Sequence, residues 1–345
     1  MENILDFTRE DLAAWLEGKG IRPFRAGQIF KWLYIRQADT FEQMTDLSKT
    51  LRSRLEDCFY IRRLFLDDKQ ISVDTTEKFL LRLDDGQHIE SVLIPEKDHF
   101  TLCVSSQVGC VQNCQFCLTA KGGFIRNLNV CEMIAQVRDA RYYLIQKDVD
   151  PLKLSNIVFM GMGEPLANYK NLVKALEIIT DSDYGLKFSS RRVTVSTCGM
   201  VPKITQLGLD TCVNLAVSLN ATTDKMRSLL MPINKKYPLN KLLEACRTFT
   251  MKPRNKITFE YILMKGVNDT KEDALRLVKL LAPIKAKVNL IPFNGYDKSG
   301  FKRPSKKEIS EFLQILLDQN ITAITRKSKG DDILAACGQL KAKLY

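Results

Sequence analysis

Three cysteines stand close together in the first half of the chain, and their spacing is the first feature that predicts chemistry. Cys110, Cys114 and Cys117 follow the pattern Cys-x3-Cys-x2-Cys, in a stretch with glycines on both sides. A structural zinc site is normally closed by four protein ligands, whereas a [4Fe-4S] cluster held by three cysteines keeps one iron open for a substrate or cofactor. The spacing therefore favours a catalytic iron–sulfur cluster.

Two other interpretations of these cysteines stay open at this point. Free cysteines pack well in apolar cores, so the three thiols could be unpaired core residues. Soft thiolates also suit zinc, and Cys103 or Cys131 could supply the fourth ligand of a zinc site. The chain has ten cysteines in all, and several of them, such as Cys198, stand singly among apolar neighbours and are interpreted as packing residues.

The charge balance favours a polyanionic partner. Lys and Arg number 52 against 40 Asp and Glu, which gives a formal net charge of +12 and a pI near 9.1. Basic groups gain affinity for nucleic acid by releasing counterions from its phosphates. Several basic stretches together favour a surface for RNA or DNA. They lie at 62–63, 187–192, 235–236, 252–256, 298–307 and 326–329.

No stretch has the apolar length that a membrane-spanning helix needs, and the N-terminal residues lack the basic and apolar regions of a signal peptide. We therefore expect a cytoplasmic protein without a membrane partner.

The first hundred residues change in character near residue 60. Thr8 is placed to cap a first helix, with Asp11 three residues later, and apolar residues then recur at helical spacing. From about Lys69 to Val104, apolar and polar residues alternate as in β-strands, with a hairpin turn at Asp84-Asp85-Gly86. We expect a helical accessory domain at 1–60 that binds RNA, a β-rich connector at 61–98 and a larger domain at 99–345.

The larger domain repeats one pattern, in which predicted strands alternate with helices. The strands are predicted at 156–160, 192–196, 214–219, 258–263, 288–292 and 322–325, and the helices at 130–147, 169–180, 201–207, 239–250, 270–282 and 305–318. This alternation, without a dinucleotide-binding glycine fingerprint, favours an α/β fold with a barrel or open barrel. Chemistry gathers at the carboxyl ends of the strands in such folds. Small or polar residues stand at these ends, at 161–165, 196–197, 218–220 and 294–295.

Longer motifs resemble a known family. The cysteine loop and the segment Gly-Met-Gly-Glu-Pro at 161–165 resemble the radical S-adenosylmethionine superfamily. Other segments are similar to the dual-specificity ribosomal and transfer RNA adenine carbon-2 methyltransferases of the RlmN group. These segments are Cys-Val-Ser-Ser-Gln-Val-Gly-Cys at 103–110, Val-Ser-Thr at 195–197 and Gly-Asp-Asp-Ile-Leu-Ala-Ala-Cys-Gly-Gln-Leu at 330–340. The resemblance covers nearly the whole chain and implies a partial (β/α)6-type radical S-adenosylmethionine barrel.

The resemblance also implies which residues contact the cofactors. Cys110, Cys114 and Cys117 would ligate a [4Fe-4S] cluster whose open iron binds S-adenosylmethionine, with two S-adenosylmethionine molecules used per turnover. Asn220 departs from the family, which usually has a histidine there, although an amide can also offer hydrogen bonds. The S-adenosylmethionine contacts that the resemblance implies are Gly163, Glu164, Ser196, Ser218, Leu219, Asn220 and Asn294.

A radical route is implied because carbon 2 of adenine is electron-poor and cannot attack a methyl donor directly. In the family that this chain resembles, the cysteine that corresponds to Cys337 first accepts a methyl group. A radical formed from a second S-adenosylmethionine takes a hydrogen from that group, and the methylene radical joins the enzyme to RNA. Glu90 would then remove the ring proton, and Cys103 would attack the sulfur of Cys337 and form a transient disulfide.

The implied partners are 23S rRNA, modified at the peptidyl transferase centre, tRNA, modified next to the anticodon, and an electron donor such as flavodoxin. A monomer is expected. Two alternatives stay open. Related carbon-8 adenosine methyltransferases share the cluster and Cys337, although the segment at 330–333 favours carbon 2. A zinc-stabilised RNA-binding protein without catalysis would belong to another class.

Overall fold

The computed structural model describes residues 1–296 and 299–342, which fold around one long β-sheet. The strands are β1 Glu2–Asn3, β2 Phe59–Tyr60, β3 Phe65–Ile71, β4 Glu77–Arg82, β5 His88–Pro95, β6 Phe100–Cys103, β7 Gln107–Gly109, β8 Phe124–Asn127, β9 Leu154–Phe159, β10 Val193–Thr197, β11 Asn214–Ser218, β12 Ile257–Leu263, β13 Ala286–Pro292 and β14 Thr322–Thr325. The helices are α1 Arg9–Gly18, α2 Arg25–Phe30, α3 Lys49–Cys58, α4 Leu118–Lys121, α5 Val130–Gln146, α6 Tyr169–Thr180, α7 Val201–Asp210, α8 Asp224–Leu230, α9 Leu239–Arg247, α10 Lys271–Leu281 and α11 Lys306–Asp318.

Helices α1 to α3 form the N-terminal unit, and its first helix begins where the capping pattern predicts. The Thr8 hydroxyl accepts a hydrogen bond from the Asp11 backbone nitrogen at 3.1 Å, and the Asp11 carboxylate accepts one from the Thr8 nitrogen at 3.3 Å. Strands β1 and β2 pair in parallel and bring the two ends of the unit together. The unit contacts α5, where the buried Arg138 guanidinium donates to the Ala38 carbonyl oxygen at 2.9 Å.

The central sheet has ten strands in the described part of the chain, in the order β14-β13-β12-β11-β10-β9-β6-β5-β4-β3. From β6 to β14 neighbouring strands run parallel, and helices α5 to α11 lie between successive strands in the chain. Parallel strands need such crossover helices, because a tight turn cannot connect them. The partial α/β barrel predicted from the alternation is therefore confirmed, and the carboxyl ends of its strands share one rim.

Strands β3, β4 and β5 extend the sheet in the antiparallel sense beyond β6. The predicted turn at 84–86 joins β4 to β5, and the Gly86 nitrogen donates to the Leu83 carbonyl oxygen at 3.0 Å. Gly86 has φ of +81°, which only glycine adopts without cost. The strands of 61–98 thus continue the barrel sheet. The division into domains at 1–60, 61–98 and 99–345 stays a prediction.

Helix α8 is the main element that the sequence pattern did not indicate. It spans Asp224–Leu230 between β11 and α9, and the Thr223 hydroxyl caps it by accepting from the Met226 nitrogen at 3.3 Å. Seven residues are too few to show a clear helical period, so the pattern gave no signal. None of the described helices has both the length and the apolar character to cross a membrane.

Candidate active site

The cysteine loop is held at the barrel rim by a small hairpin. Strands β7 and β8 pair on its two sides, and the Cys110 nitrogen donates to the Gly123 carbonyl oxygen at 2.8 Å. Gly109 ends β7 with φ of +75°, and a Cβ added there would lie 1.9 Å from the Gly123 oxygen. The glycine before the first cysteine therefore lets the two sides of the loop close on each other.

The three thiols of this loop line one cavity. Cys114 is buried, while Cys110 and Cys117 are half-buried. Burial raises the pKa of the Cys110 thiol, and the neighbouring Cys117 and Cys114 raise it further, so the three sulfurs lie within electrostatic range of one another. The empty space of the cavity, including its open mouth, is about 1350 Å³, which is ample for a nucleotide-sized cofactor.

The arrangement of the thiols fits a cluster better than a single ion. Within residues 1–296 and 299–342, no three Cys, His, Asp or Glu side chains are placed to hold one metal ion. An iron–sulfur cluster spreads its cysteine ligands over separate iron atoms, and soft thiolates suit it. Neither Cys103 nor Cys131 therefore completes a zinc site with the loop.

The segment after β9 brings a carboxylate to the same cavity. Glu164 is 3% exposed; its Oε2 accepts from the Cys198 nitrogen at 2.8 Å, and its Oε1 accepts from the Leu166 nitrogen at 3.1 Å. Burial raises the pKa of this carboxyl group. A Cβ at Gly163 would lie 2.6 Å from the Gln107 side chain, so this glycine is needed for packing against β7 as well as for access to a ligand.

Of the five other residues predicted to contact S-adenosylmethionine, three line the cavity and two do not. Ser196, Ser218 and Asn294 lie on its wall, and the buried Asn294 Nδ2 has no hydrogen-bond partner in the described residues. Leu219 and Asn220 lie behind the wall. The Asn220 Oδ1 accepts from the Ile262 nitrogen at 2.9 Å, so this side chain joins the ends of β11 and β12 rather than facing a cofactor.

The C-terminal segment covers the cavity. The Leu118 nitrogen donates to the Gly338 carbonyl oxygen at 2.7 Å, and the Thr119 hydroxyl donates to the Leu340 carbonyl oxygen at 2.6 Å. On its other side, the Gln339 amide donates to the Gly295 carbonyl oxygen at 2.9 Å. These bonds fix the residues that immediately follow Cys337 in the chain, and Cys337 itself lies on the cavity wall.

Cys103 lies on the wall of the same cavity as Cys337. It ends β6, where it pairs with Val92 of β5 and Val158 of β9. Burial raises the pKa of the Cys103 thiol to about 12, and the second cause is the neighbouring Cys337. The structure therefore brings together the two thiols that the resemblance pairs.

Glu90 is not on the cavity wall. Its carboxylate is 2% exposed; Oε1 lies 3.3 Å from the Lys78 ammonium nitrogen, and Oε2 accepts from the Lys341 backbone nitrogen at 2.7 Å. Leu340, next to Lys341, does line the cavity. The C-terminal segment thus separates the Glu90 carboxylate from the site in this conformation.

Several groups of the site were missed from the sequence. Arg227 is fully buried and donates to the Cys198 carbonyl oxygen at 2.6 Å, but it stands in the short helix α8, where an arginine usually faces solvent. Arg326 was assigned to a basic RNA-binding stretch, although it lines the cavity. Glu260 could have been identified from the sequence, because it is the one charged residue in the apolar strand β12. Cys198, interpreted as a packing residue, also lines the cavity.

Comparison with known proteins defines the class. Residues 2–61 match the family described as the ribosomal RNA large subunit methyltransferase N-terminal domain, and residues 104–278 match the radical SAM superfamily. A solved radical SAM methyltransferase from Sphaerobacter thermophilus has a TM-score of 0.91 and 42% identity, covering 99% of this chain and 100% of that chain. The barrel, the three-cysteine loop and these matches define a radical S-adenosylmethionine methyltransferase.

Similar proteins identify the family within this class. The dual-specificity RNA methyltransferase RlmN of Desulfosudis oleivorans is 57% identical over 343 residues, which cover 99% of this chain and 91% of that protein. The protein of the same name from Geobacter sulfurreducens is 54% identical over 344 residues, covering 100% of this chain and 93% of its own. The chain belongs to the RlmN family of radical S-adenosylmethionine RNA methyltransferases, as its motifs predict. It is an enzyme and not a zinc-stabilised binding protein.

Replacing Gly109 tests what holds the cysteine loop. Gly109→Ala is expected to displace the loop and lower the iron and sulfide bound per chain after anaerobic reconstitution, because the new Cβ overlaps the Gly123 oxygen. Gly123→Ala is the matched control: Gly123 also has positive φ, +78°, but no atom lies within 4 Å of its added Cβ. That variant should suffer only the left-handed backbone cost of about 1–2 kcal/mol and keep its cluster. Equal iron contents in the two variants would contradict this account.

Replacing Lys78 tests the buried pair with Glu90. Lys78→Met leaves the Glu90 carboxylate buried without its cation, so the free energy of unfolding should fall by about 3–5 kcal/mol. Arg62→Met is the control, because the Arg62–Asp84 pair at 2.6 Å is about half exposed and should contribute less than about 1 kcal/mol. Urea unfolding followed by circular dichroism measures both losses in the free energy of unfolding. Similar losses in the two variants would show that the buried pair stabilises the fold no more than the exposed pair.

Proposed function

We propose that this enzyme methylates carbon 2 of adenosine in 23S rRNA, at the peptidyl transferase centre, and in tRNA, next to the anticodon. The observation that carries the proposal is the single cavity that holds the three loop thiols together with Cys103 and Cys337. A simple methyltransferase would need no second set of thiols, whereas methylation at an electron-poor carbon needs a protein group that carries the methyl carbon. The relatives are named dual-specificity RNA methyltransferases, which supports two RNA substrates.

The cavity offers ligands for both cofactors of the superfamily. Cys110, Cys114 and Cys117 would hold the [4Fe-4S] cluster. When bound, the cluster and two S-adenosylmethionine molecules per turnover supply a methyl group and a hydrogen-abstracting radical. The groups that would contact S-adenosylmethionine are Gly163, Glu164, Ser196, Ser218 and Asn294, while Leu219 and Asn220 would fix the strand end beside it.

The unpartnered amide of Asn294 is the clearest of these contacts. Its Oδ1 already accepts from the Ser328 hydroxyl, and the buried Nδ2 on the cavity wall has no acceptor among residues 1–296 and 299–342. A buried donor without an acceptor is costly, so a ligand acceptor there would recover that free energy. This donor suits a nitrogen or oxygen acceptor of a nucleoside.

Cys337 would be the residue that carries the methyl carbon. Its sulfur must first lose a proton to become a nucleophilic thiolate, which then accepts the methyl group and becomes a neutral thioether. The half-buried thiol faces the cavity, so the carried carbon lies where an RNA base can enter.

Cys103 and Glu90 would then release the product. Once the base is joined to Cys337 through a methylene carbon, the adduct carries one unpaired electron, which the cluster would accept when bound, and Glu90 takes the ring proton. The Cys103 thiolate attacks the Cys337 sulfur; an S–S bond forms and the S–C bond breaks. The electron pair of the broken bond leaves with the methylene carbon, which takes up a proton and becomes the methyl group. An external dithiol must reduce the disulfide before the next turnover.

Glu90 can act as this base only after a local movement. Its Oε2 is occupied by the Lys341 nitrogen, so the end of the C-terminal segment must withdraw before the carboxylate reaches a base in the cavity. Lys78, at 3.3 Å from the other oxygen, lies on the neighbouring strand β4 and does not belong to the segment that moves.

The remaining partners follow from charge and class. The net charge of +12 suits RNA, and the N-terminal helical unit at 1–60 would contribute to its binding. An electron donor such as flavodoxin would reduce the cluster. We place the enzyme in the cytoplasm, where its RNA substrates are, and expect it to act as a monomer.

Nucleoside analysis tests the site of methylation. After anaerobic reconstitution with iron and sulfide, the enzyme should convert adenosine to 2-methyladenosine in unmodified 23S rRNA and in unmodified tRNA, as measured by mass spectrometry of digested RNA. A product methylated at carbon 8 would instead assign the enzyme to the related carbon-8 group.

Two cysteine variants separate the two thiol roles. Cys337→Ala should abolish methylation without trapping RNA, because no sulfur carries the methyl carbon. Cys103→Ala should accumulate a covalent RNA–protein adduct on denaturing gels, because nothing resolves the adduct. Cys212→Ala, at an exposed cysteine, is the control and should behave as wild type. Continued methylation by the Cys103 variant without any adduct would refute its role.

A further inference from the structure

One cation of the cavity has no assigned role. Arg326 follows β14, and its backbone nitrogen donates to the Leu290 carbonyl oxygen of β13 at 2.8 Å, which fixes where the side chain starts. The side chain lines the cavity and forms no ion pair within the described part of the chain. Arg326 is half-buried, and a guanidinium on a cavity wall without a paired carboxylate is unusual, because charges withdrawn from water normally have a partner. Its partner must therefore be sought among the other groups of the cavity.

The groups nearest to Arg326 in electrostatic terms are the two thiols and one carboxylate. Cys337 acts on it most strongly, followed by Glu260 and Cys103. Glu260 is 5% exposed; its Oε1 accepts from the Asn289 amide at 2.9 Å, and its Oε2 has no hydrogen-bond partner in the described residues. Glu260 lies on β12, which β13 separates from β14, and both Glu260 and Arg326 line the cavity.

Both thiols have the same physical problem. Burial raises the pKa of Cys337 and of Cys103, so each tends to stay protonated, whereas the reactive form of a cysteine is the thiolate. The positive charge of Arg326 lowers the pKa of both groups against this effect. The other charged groups near this part of the cavity are Glu96, Glu164, Glu260, Lys327 and Lys329.

We propose that Arg326 is the positioning residue that stabilises the thiolates of Cys337 and Cys103 in turn, one for each half of the reaction. This inference rests on the proposed roles of the two cysteines. Arg326 acts through them and does not itself touch the reacting carbon.

The order of use follows from charge. While Cys337 is a thiolate, its negative charge opposes ionisation of Cys103, as the raised pKa of Cys103 shows. When Cys337 accepts the methyl group, it becomes a neutral thioether and that opposition ends. The guanidinium then has one anionic partner left, which is Cys103. The second nucleophile is therefore activated only after the first has been consumed, and the two thiols are not driven to react out of turn.

Thiol alkylation measures this effect without any turnover. Cluster-loaded protein is treated with iodoacetamide, a neutral reagent that Arg326 does not attract, and the rate at each cysteine is read by peptide mass spectrometry. At a fixed pH below the pKa, the rate follows the thiolate fraction. Arg326→Met should lower the rates at Cys337 and Cys103 by about tenfold or more, since a neighbouring guanidinium moves a pKa by about one unit or more. Exposed Cys212 provides the internal reference.

Two further variants make the result specific. Arg326→Lys keeps the charge and should restore most of the rate, whereas Lys279→Met, which removes an exposed charge on α10, should change nothing. Cys337→Ala should raise the rate at Cys103, because the ionised fraction of Cys337 no longer opposes Cys103 and Arg326 then acts on that one thiol. Unchanged rates at both thiols in Arg326→Met, or an unchanged Cys103 rate in Cys337→Ala, would overturn the proposal.

These outcomes differ from failure of the proposed function. If Cys337→Ala still methylates RNA, the methyl-carrying role is wrong, whatever the alkylation rates show. If Cys337→Ala is inactive and Arg326→Met alkylates as wild type, the function stands and the role of Arg326 is wrong.

Discussion

The hydrogen bonds between the cysteine loop and the C-terminal segment hold the active site together. The Leu118 nitrogen and the Thr119 hydroxyl, both just after the last loop cysteine, bind carbonyl oxygens on either side of Gln339. The loop that would carry the cluster and the segment that carries Cys337 are more than two hundred residues apart in sequence, yet they share one short interface. Every chemical role proposed above requires this contact, because without it the two sets of thiols face separate spaces.

The sheet explains why this contact can form. Parallel strands from β6 to β14 bring their carboxyl ends to one rim, and the cysteine loop leaves that rim after β6 and β7. The antiparallel strands β3 to β5 then place Glu90 next to the strand of Cys103. Glu90 and Cys103 thus come from adjacent strands of one sheet, whereas Cys337 comes from the segment after β14.

The sequence predicted the parts of this arrangement that leave a periodic or motif signal. Strand and helix alternation indicated the barrel, and the spacing of the three loop cysteines indicated a cluster. The features of the site that the sequence did not predict depend on the direction in which a single side chain points. Arg326 looks like its basic neighbours, and only the fold shows that it turns inward. Asn220 lies on a predicted rim segment, yet its amide bonds to the next strand. Such directions are set by tertiary packing, which no local pattern records.

The contacts of Asp332 give the barrel a property that its strands alone do not have. Asp332 accepts from the Ser72 hydroxyl and the Val73 nitrogen, and the Gly330 nitrogen donates to Asp74, so the chain after β14 is attached to the turn beyond β3. The open sheet is thereby a closed ring in which one link is a loop. Opening that link breaks a few hydrogen bonds of about 0.5–1.5 kcal/mol each and leaves all strand pairing intact. The two edges of the ten-stranded sheet are therefore connected by loop contacts that do not depend on strand pairing.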